Sequence, residues 1–347
     1  MRKARWGLIV VGVVVIAGVA WWCFDVFFMD KYFPATPTLF KIGFVNDWEY
    51  DERKRMKHKL TNRAPVELRT AVDFLNKEFQ PDVVVGGGDY IESSNVKKEK
   101  AKRYLREINT IFRDIQAERF YALGNHDMRS LTKSEVREIL GMEENHIMRD
   151  IGDWRIIVLD TNFNKEDDSD RAEKNYVVGY VARSELEWLR KNLDTDRPVI
   201  VFSHHAPVSF IGEKGQLVQN ILNEESVRTV LEERGNVVAV VSGHSPLSYH
   251  ERRNGIHYFI VDTLVNEPAL GSFATIELTY MPSTSKFRPI SCASIALSQK
   301  GIHPQEYEKR WCFNERDNEE PRTSFASVSI EAAEAGEEEN EESAPQK

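Results

Sequence analysis

Between residues 39 and 280 short apolar runs alternate with amphipathic stretches, and the two periods separate strands from helices. Leu39–Asp47, Asp82–Asp89, Arg119–Gly124, Arg155–Thr161, Pro198–His204, Val237–Gly243, Ile256–Thr263 and Phe273–Tyr280 each predict a strand; most are rich in β-branched residues and end at Gly, Asn or Asp. Between them, Ala64–Phe79 sets Val66, Leu68, Val72, Leu75 and Phe79 at helical spacing. Lys97–Ile115 does the same with Tyr104, Leu105, Ile108, Ile111 and Phe112. Capping boxes announce two further helices, Thr132 with Glu135 and Ser184 with Glu187. This order predicts an α/β domain, with strands buried between helical layers in the first half and more antiparallel pairing toward the carboxyl end.

The amino terminus breaks the pattern. Trp6–Phe24 is a run of nineteen residues without a charge, behind Arg2, Lys3 and Arg5 and ahead of Asp25, Asp30 and Lys31. At about 1.5 Å per helical residue such a run matches a ~30 Å hydrocarbon core, so one transmembrane helix is expected over residues 6–28. The cations place residues 1–5 in the cytoplasm and everything beyond the span outside it. A cleaved signal peptide competes, because Ala17-Gly18-Val19-Ala20 resembles a cleavage site, but the length of the run and its continuation through Trp21, Trp22 and Phe24 favour an anchor. After a linker over 29–38 comes one domain over 39–280. An irregular extension is expected over 281–313, with Pro282, Pro289 and Pro304, and a disordered acidic tail over 314–347. Cys292 and Cys312 fall in the extension and either bridge, as an oxidising compartment would allow, or remain free thiols.

Composition narrows the class. With 41% hydrophobic and 29% charged residues the chain is that of a folded globular protein, which excludes collagen, wholly disordered and polytopic membrane classes. Of the net charge of −9, residues 314–347 carry −8, from eleven Asp/Glu against three Lys/Arg. The remainder is nearly neutral, no basic stripe emerges, and no nucleic-acid partner is expected.

Asp47, Asp89, Asn125, His205 and His244 each stand at the carboxyl end of a predicted strand or just beyond it. Ligand sites of α/β sheets assemble at that edge, so five strands would bring these groups to one rim. Carboxylates, imidazoles and an amide oxygen suit a divalent ion such as Mn, Fe or Zn. A bridging carboxylate would hold two such ions about 3.5–4 Å apart, the spacing used for displacement at phosphorus.

Phe44-Val45-Asn46-Asp47, Gly88-Asp89, Gly124-Asn125-His126-Asp127, Phe202-Ser203-His204-His205-Ala206-Pro207 and Ser242-Gly243-His244 together resemble the successive blocks of the calcineurin-like metallophosphoesterases. The resemblance implies a β-sandwich flanked by helices and a metal-dependent phosphoesterase, with a phosphomonoester or phosphodiester as substrate and hydroxide activated by metal. By the same resemblance Asp89 bridges two metals, Asp47 belongs to the first, and Asn125, His205 and His244 belong to the second. His205 is preferred to His204 because it stands two residues before Pro207. His126 would act as the acid or transition-state stabiliser, oriented by Asp127.

Two positions depart from the family pattern. Glu49 stands where a histidine usually follows the first aspartate, and Gly243-His244 is followed by Ser245 and Pro246 rather than reaching a second histidine. The first metal would then keep Asp47, Asp89 and, if it is not a solvated acid beside Asp51 and Glu52, Glu49. One or two ions per chain are therefore expected, and an all-oxygen half favours Mn. The alternative is a degenerate member that binds metal as a scaffold without hydrolysis. His250 either returns to the site or lies at the surface. His58, His146, Asp160, His257 and His303 read as solvated, turn-forming or structural residues, and Gly86-Gly87-Gly88 reads as a tight turn before Asp89.

Overall fold

The computed structural model describes residues 37–171, 177–212, 215–267, 270–281, 292–300, 305–312 and 323–324. In chain order the elements are β1 (Thr38–Val45), α1 (Ala64–Phe74), β2 (Val83–Gly86), α2 (Lys98–Phe112), β3 (Glu118–Tyr121), α3 (Lys133–Leu140), β4 (Ile147–Ile151) and β5 (Trp154–Leu159). There follow α4 (Arg183–Leu193), β6 (Val199–Ser203), β7 (Phe210–Ile211), β8 (Leu217–Val218), α5 (Glu224–Glu233), β9 (Val237–Ser242), β10 (Tyr249–Arg253) and β11 (Ile256–Ile260). The last are β12 (Phe273–Met281), β13 (Cys292–Lys300), β14 (Gln305–Cys312) and β15 (Thr323–Ser324). All eight expected strands are present within a residue or a few of their predicted ends.

Two sheets stack. One has the order β14-β13-β12-β1-β2-β3 and the other β15-β10-β11-β9-β6-β5-β4. Strands β1, β2 and β3 run parallel, as do β5, β6, β9 and β11. Strands β12 to β14 join antiparallel at the edge of the first sheet. Strand alternation divides the core into three clusters. Ile42, Phe44, Val83 and Val85 face Ile156, Val158, Ile200 and Phe202 between the sheets, with Phe44 and Phe202 stacked at 5.6 Å. Val45 and Val84, on the other face of the first sheet, pack under α1, α2 and α3. Ile157, Leu159, Val199 and Val201 pack under α4 and α5. The result is the expected sandwich flanked by helices.

Several expectations change. Residues 281–313 are not simply irregular: β13 and β14 extend the first sheet, because Ile295 and Leu297 alternate into the inter-sheet core while the prolines lie in sequence outside both strands. Thr323 and Ser324, in the acidic tail, pair with β10. Thr132 and Glu135 form the full capping box at α3, whereas α4 starts from Ala182 without a side-chain cap and Ser184 lies inside it. Among the described residues no helix is long and apolar enough to cross a membrane; the expected span, 6–28, and most of the tail lie outside them.

Candidate metal centre

Each block of the site leaves a parallel strand at its carboxyl end and turns at once. Asp47 and Glu49 after β1, Asp89 after β2 and His244 after β9 all have positive φ, at 51°, 41°, 52° and 69°. Such backbone is costly for these residues and persists where surrounding contacts over-determine it. Two glycines allow the loops to meet. A Cβ on Gly124 would lie 2.1 Å from the Asp89 nitrogen, and one on Gly243 2.5 Å from Asp47 Oδ2. Asp127 fastens the same loops. Its Oδ1 accepts from the Tyr90 and Ile91 N–H groups, and its Oδ2 from those of Asp89 and Gly124. Its observed contacts therefore hold backbone rather than the His126 ring.

Asp89, fully buried, is the hub. Its Oδ1 accepts from the His126 backbone N–H at 2.7 Å, and its Oδ2 lies 3.3 Å from His204 Nε2. His204 Nε2 is also 3.1 Å from Asn125 Oδ1, which in turn is 3.0 Å from His244 Nδ1. The Gly87 carbonyl, 2.8 Å from His204 Nδ1, can only accept, so Nδ1 carries the proton and Nε2 is turned toward the carboxylates. Burial would lower His204, but Asp89, Asp47 and the Gly87 carbonyl outweigh it and raise it to about 9. For His244, burial and the neighbouring His204 lower the ring well below its ordinary value.

Both imidazoles of the histidine doublet stand at the cluster. His205 adjoins the cluster, yet its Nδ1 is 2.7 Å from Thr161 Oγ1 and its Nε2 3.0 Å from the Val177 carbonyl. Both nitrogens are thus taken by the protein, whereas His204 faces Asp89 and Asn125. One group of donors within 4.8 Å of one another is Asp47, Asp89 and His204; His204, His205 and His244 make another. Glu49 falls instead with Glu92 and His126. The buried Asp47 Oδ1 has no hydrogen-bond partner among the described residues. Burial first, then the charges of Asp89 and Glu49, push Asp47 up to about 7, a cost that a nearby cation would relieve. The donor types and this orphaned oxygen fit a divalent ion.

His126 is oriented by a residue absent from the sequence expectation. Glu92 Oε2 lies 2.6 Å from His126 Nδ1, leaving Nε2 directed at Asp89 Oδ2, 3.8 Å away, and Glu49 Oε1, 4.0 Å away. Burial opposes protonation of His126, and Asp89, Glu49 and the bond to Glu92 raise it above its ordinary value. Glu92 is itself bound by Arg129 and by the Ser94 N–H. It stands three residues after Asp89 but matches no block residue, so no signal for it lay in the sequence.

Glu49 is buried, not solvated, and bonded by the Lys59 ammonium. The other candidates serve structure. Asp160 forms a turn with the Asn162 N–H and pairs with Lys133 at 2.6 Å. His146 stacks on Trp188 and bonds Glu185. His250 neither returns to the site nor lies at the surface: it is buried in β10, 3.0 Å from His257. His58 is exposed, and His303 lies outside the described residues.

A family model described as calcineurin-like phosphoesterase matches residues 40–248. A protein named as a probable glycerophosphodiester phosphodiesterase from Arcobacter nitrofigilis is 31% identical over 176 residues, 49% of this chain and 58% of the relative. A protein named as a probable cyclic nucleotide phosphodiesterase from Rhodococcus erythropolis is 25% identical over 171 residues, 48% of this chain and 51% of the relative. The chain thus spans just over half the length of these curated relatives. A dimetal phosphatase from Danio rerio, 16% identical, superposes with a TM-score of 0.59 over 81% of this chain and 99% of its own, a likeness of fold.

Proposed function

The chain belongs to the calcineurin-like phosphoesterases, and from that premise we propose that it hydrolyses phosphoric esters, phosphodiesters foremost, with a divalent ion held by Asp89, Asn125, His204 and His244. The observation that carries this reading is the convergence of His204 Nε2 on Asp89 Oδ2 and Asn125 Oδ1, with His244 Nδ1 beside the same amide oxygen. The two curated relatives, both named as phosphodiesterases, support the diester. Mn is favoured over Zn because Asp47 adds a further hard oxygen donor.

When bound, the ion supplies Lewis acidity and lowers the pKa of water. Hydrolysis forms one phosphorus–oxygen bond from water and breaks that of the ester, so a leaving oxygen must gain a proton. His126 is placed for that. Glu92 fixes its Nδ1, and the protonated ring presents Nε2–H toward the carboxylate cluster, where it donates to a phosphoryl or leaving oxygen. Asp127, by holding the loops that carry Asp89 and Asn125, preserves that geometry.

Residues 6–28 serve in this proposal as a membrane anchor with the domain outside the cytoplasm, a reading supported by the uncharged run and its cationic flank. The test of the active site is a pair of variants assayed for bound Mn and for hydrolysis of bis(p-nitrophenyl) phosphate. His204→Ala is expected to lose both, while His205→Ala retains its Mn. Loss confined to His205→Ala would reverse the ligand assignment, and activity surviving in His204→Ala would sink the proposal.

A further inference from the structure

The altered half of the site contains a cation of its own. Lys59 is seated by a tight turn in which Met56 and Lys59 exchange both backbone hydrogen bonds at 2.9 Å, and the next residue, Leu60, donates to the Val265 carbonyl at 2.9 Å. Its backbone is therefore held between two segments, and the ammonium reaches in to bond Glu49 Oε1. The same Glu49 oxygen lies 4.0 Å from His126 Nε2, so the Lys59 head belongs to the space in front of the catalytic histidine. Glu49, which replaces a family imidazole, is drawn toward Lys59, Glu92 and His126 instead of joining Asp47 and Asp89.

Resting on the reading of a phosphoesterase, we propose that Lys59 takes the place of a second metal: the chain holds one divalent ion, and the Lys59 ammonium binds a non-bridging oxygen of the phosphate ester. Two features of the chemistry agree. Replacing a neutral imidazole by Glu49 adds a buried negative charge, and an ammonium offsets it where a neutral ligand would not. An ammonium also carries three donors, of which Glu49 Oε1 takes one, so others are left for an oxyanion.

The experiment counts metal and measures phosphate affinity on the full-length chain. After incubation with Mn²⁺ and desalting, elemental analysis is expected to give one Mn per chain, in the unaltered protein and in Lys59→Met alike. Titration with inorganic phosphate is expected to show binding about ten- to hundredfold weaker in Lys59→Met, the effect of losing one charge-assisted hydrogen bond. The double variant Lys59→Met/Glu49→Gln removes the unpaired carboxylate and guards against a folding defect; its phosphate affinity should stay low. Two Mn per chain in the unaltered protein, or recovery of phosphate affinity in the double variant, would overturn the proposal, the latter by showing that Lys59 only neutralises Glu49. A failure of the hydrolase reading is separate: it would appear as one bound Mn and intact Lys59-dependent phosphate binding without ester cleavage.

Discussion

Glu92 and Asp262 are buried carboxylates with opposite energetics. Glu92 is held well ionised, at about 2, because burial is outweighed by its bond to His126 and by Ser94. Its task is to aim an imidazole, so Glu92→Gln is expected to reduce kcat about ten- to hundredfold with KM little changed, since partners that orient a site residue commonly matter by that much. Steady-state kinetics check it, and a rise in KM alone would show that Glu92 serves binding instead. Among the described residues Asp262 has no cationic partner to offset its burial: its Oδ1 accepts from the Thr263 N–H, and burial pushes it up to about 6. A folded value above the unfolded one, about 3.9, contributes stability that is complete below pH 4 and lost as pH rises through 6. Asp262→Asn should therefore raise the unfolding free energy at pH 8 by about 3 kcal/mol and flatten its change between pH 4 and 6. Thermal melts across that range measure it, and a variant less stable at pH 8 would contradict it.

Among the elements, what was legible followed from periodicity. The eight strands that carry the two-residue alternation and stop at turn-formers were all recoverable, and with them the five loops that build the site. What stayed hidden was decided by tertiary contact. Ser184 satisfies the pattern of a cap, yet Glu185 accepts from the Asp160 N–H and bonds His146, and α4 begins two residues earlier than a Ser184 cap allows. The doublet His204-His205 was visible as two adjacent imidazoles; only the Gly87 carbonyl on one and Thr161 with Val177 on the other distinguish them. Lys59 and Glu92 carried no motif at all. The segment 292–312 was hidden by its small residues, since Ala293, Ser294, Ala296 and Ser298 surround Ile295 and Leu297. Its pairing now gives a sharp expectation, because the register of β13 and β14 sets Cys292 directly opposite Cys312. Opposed positions of an antiparallel pair have the Cα separation a disulfide requires. In protein isolated from an oxidising compartment the two cysteines should form a disulfide, with two electrons passing to a cellular thiol–disulfide oxidoreductase. Mass spectrometry after alkylation, with and without reduction, should differ by two alkyl groups; equal masses would mean free thiols.

At the scale of the whole molecule, the direction of β1 fixes how an anchor would present the site. The chain leaves residues 6–28, crosses about ten residues to Thr38, and enters β1 at its amino end, while Asp47 and the rest of the metal centre lie at its carboxyl end. Eight residues at about 3.3 Å each separate the two ends by roughly 26 Å, and ten linker residues reach at most about 35 Å. A tether at the amino end of β1 would therefore attach the domain at the end of that strand opposite the candidate metal centre. The full-length protein should sediment with membranes and resist extraction by alkaline carbonate, as one uncharged span requires. Proteolysis confined to residues 29–37 should release a domain whose kcat/KM toward bis(p-nitrophenyl) phosphate is unchanged, because attachment lies away from the site. A large gain in activity on release would mean that the membrane shields the metal centre, and extraction by carbonate would mean that residues 6–28 do not span it.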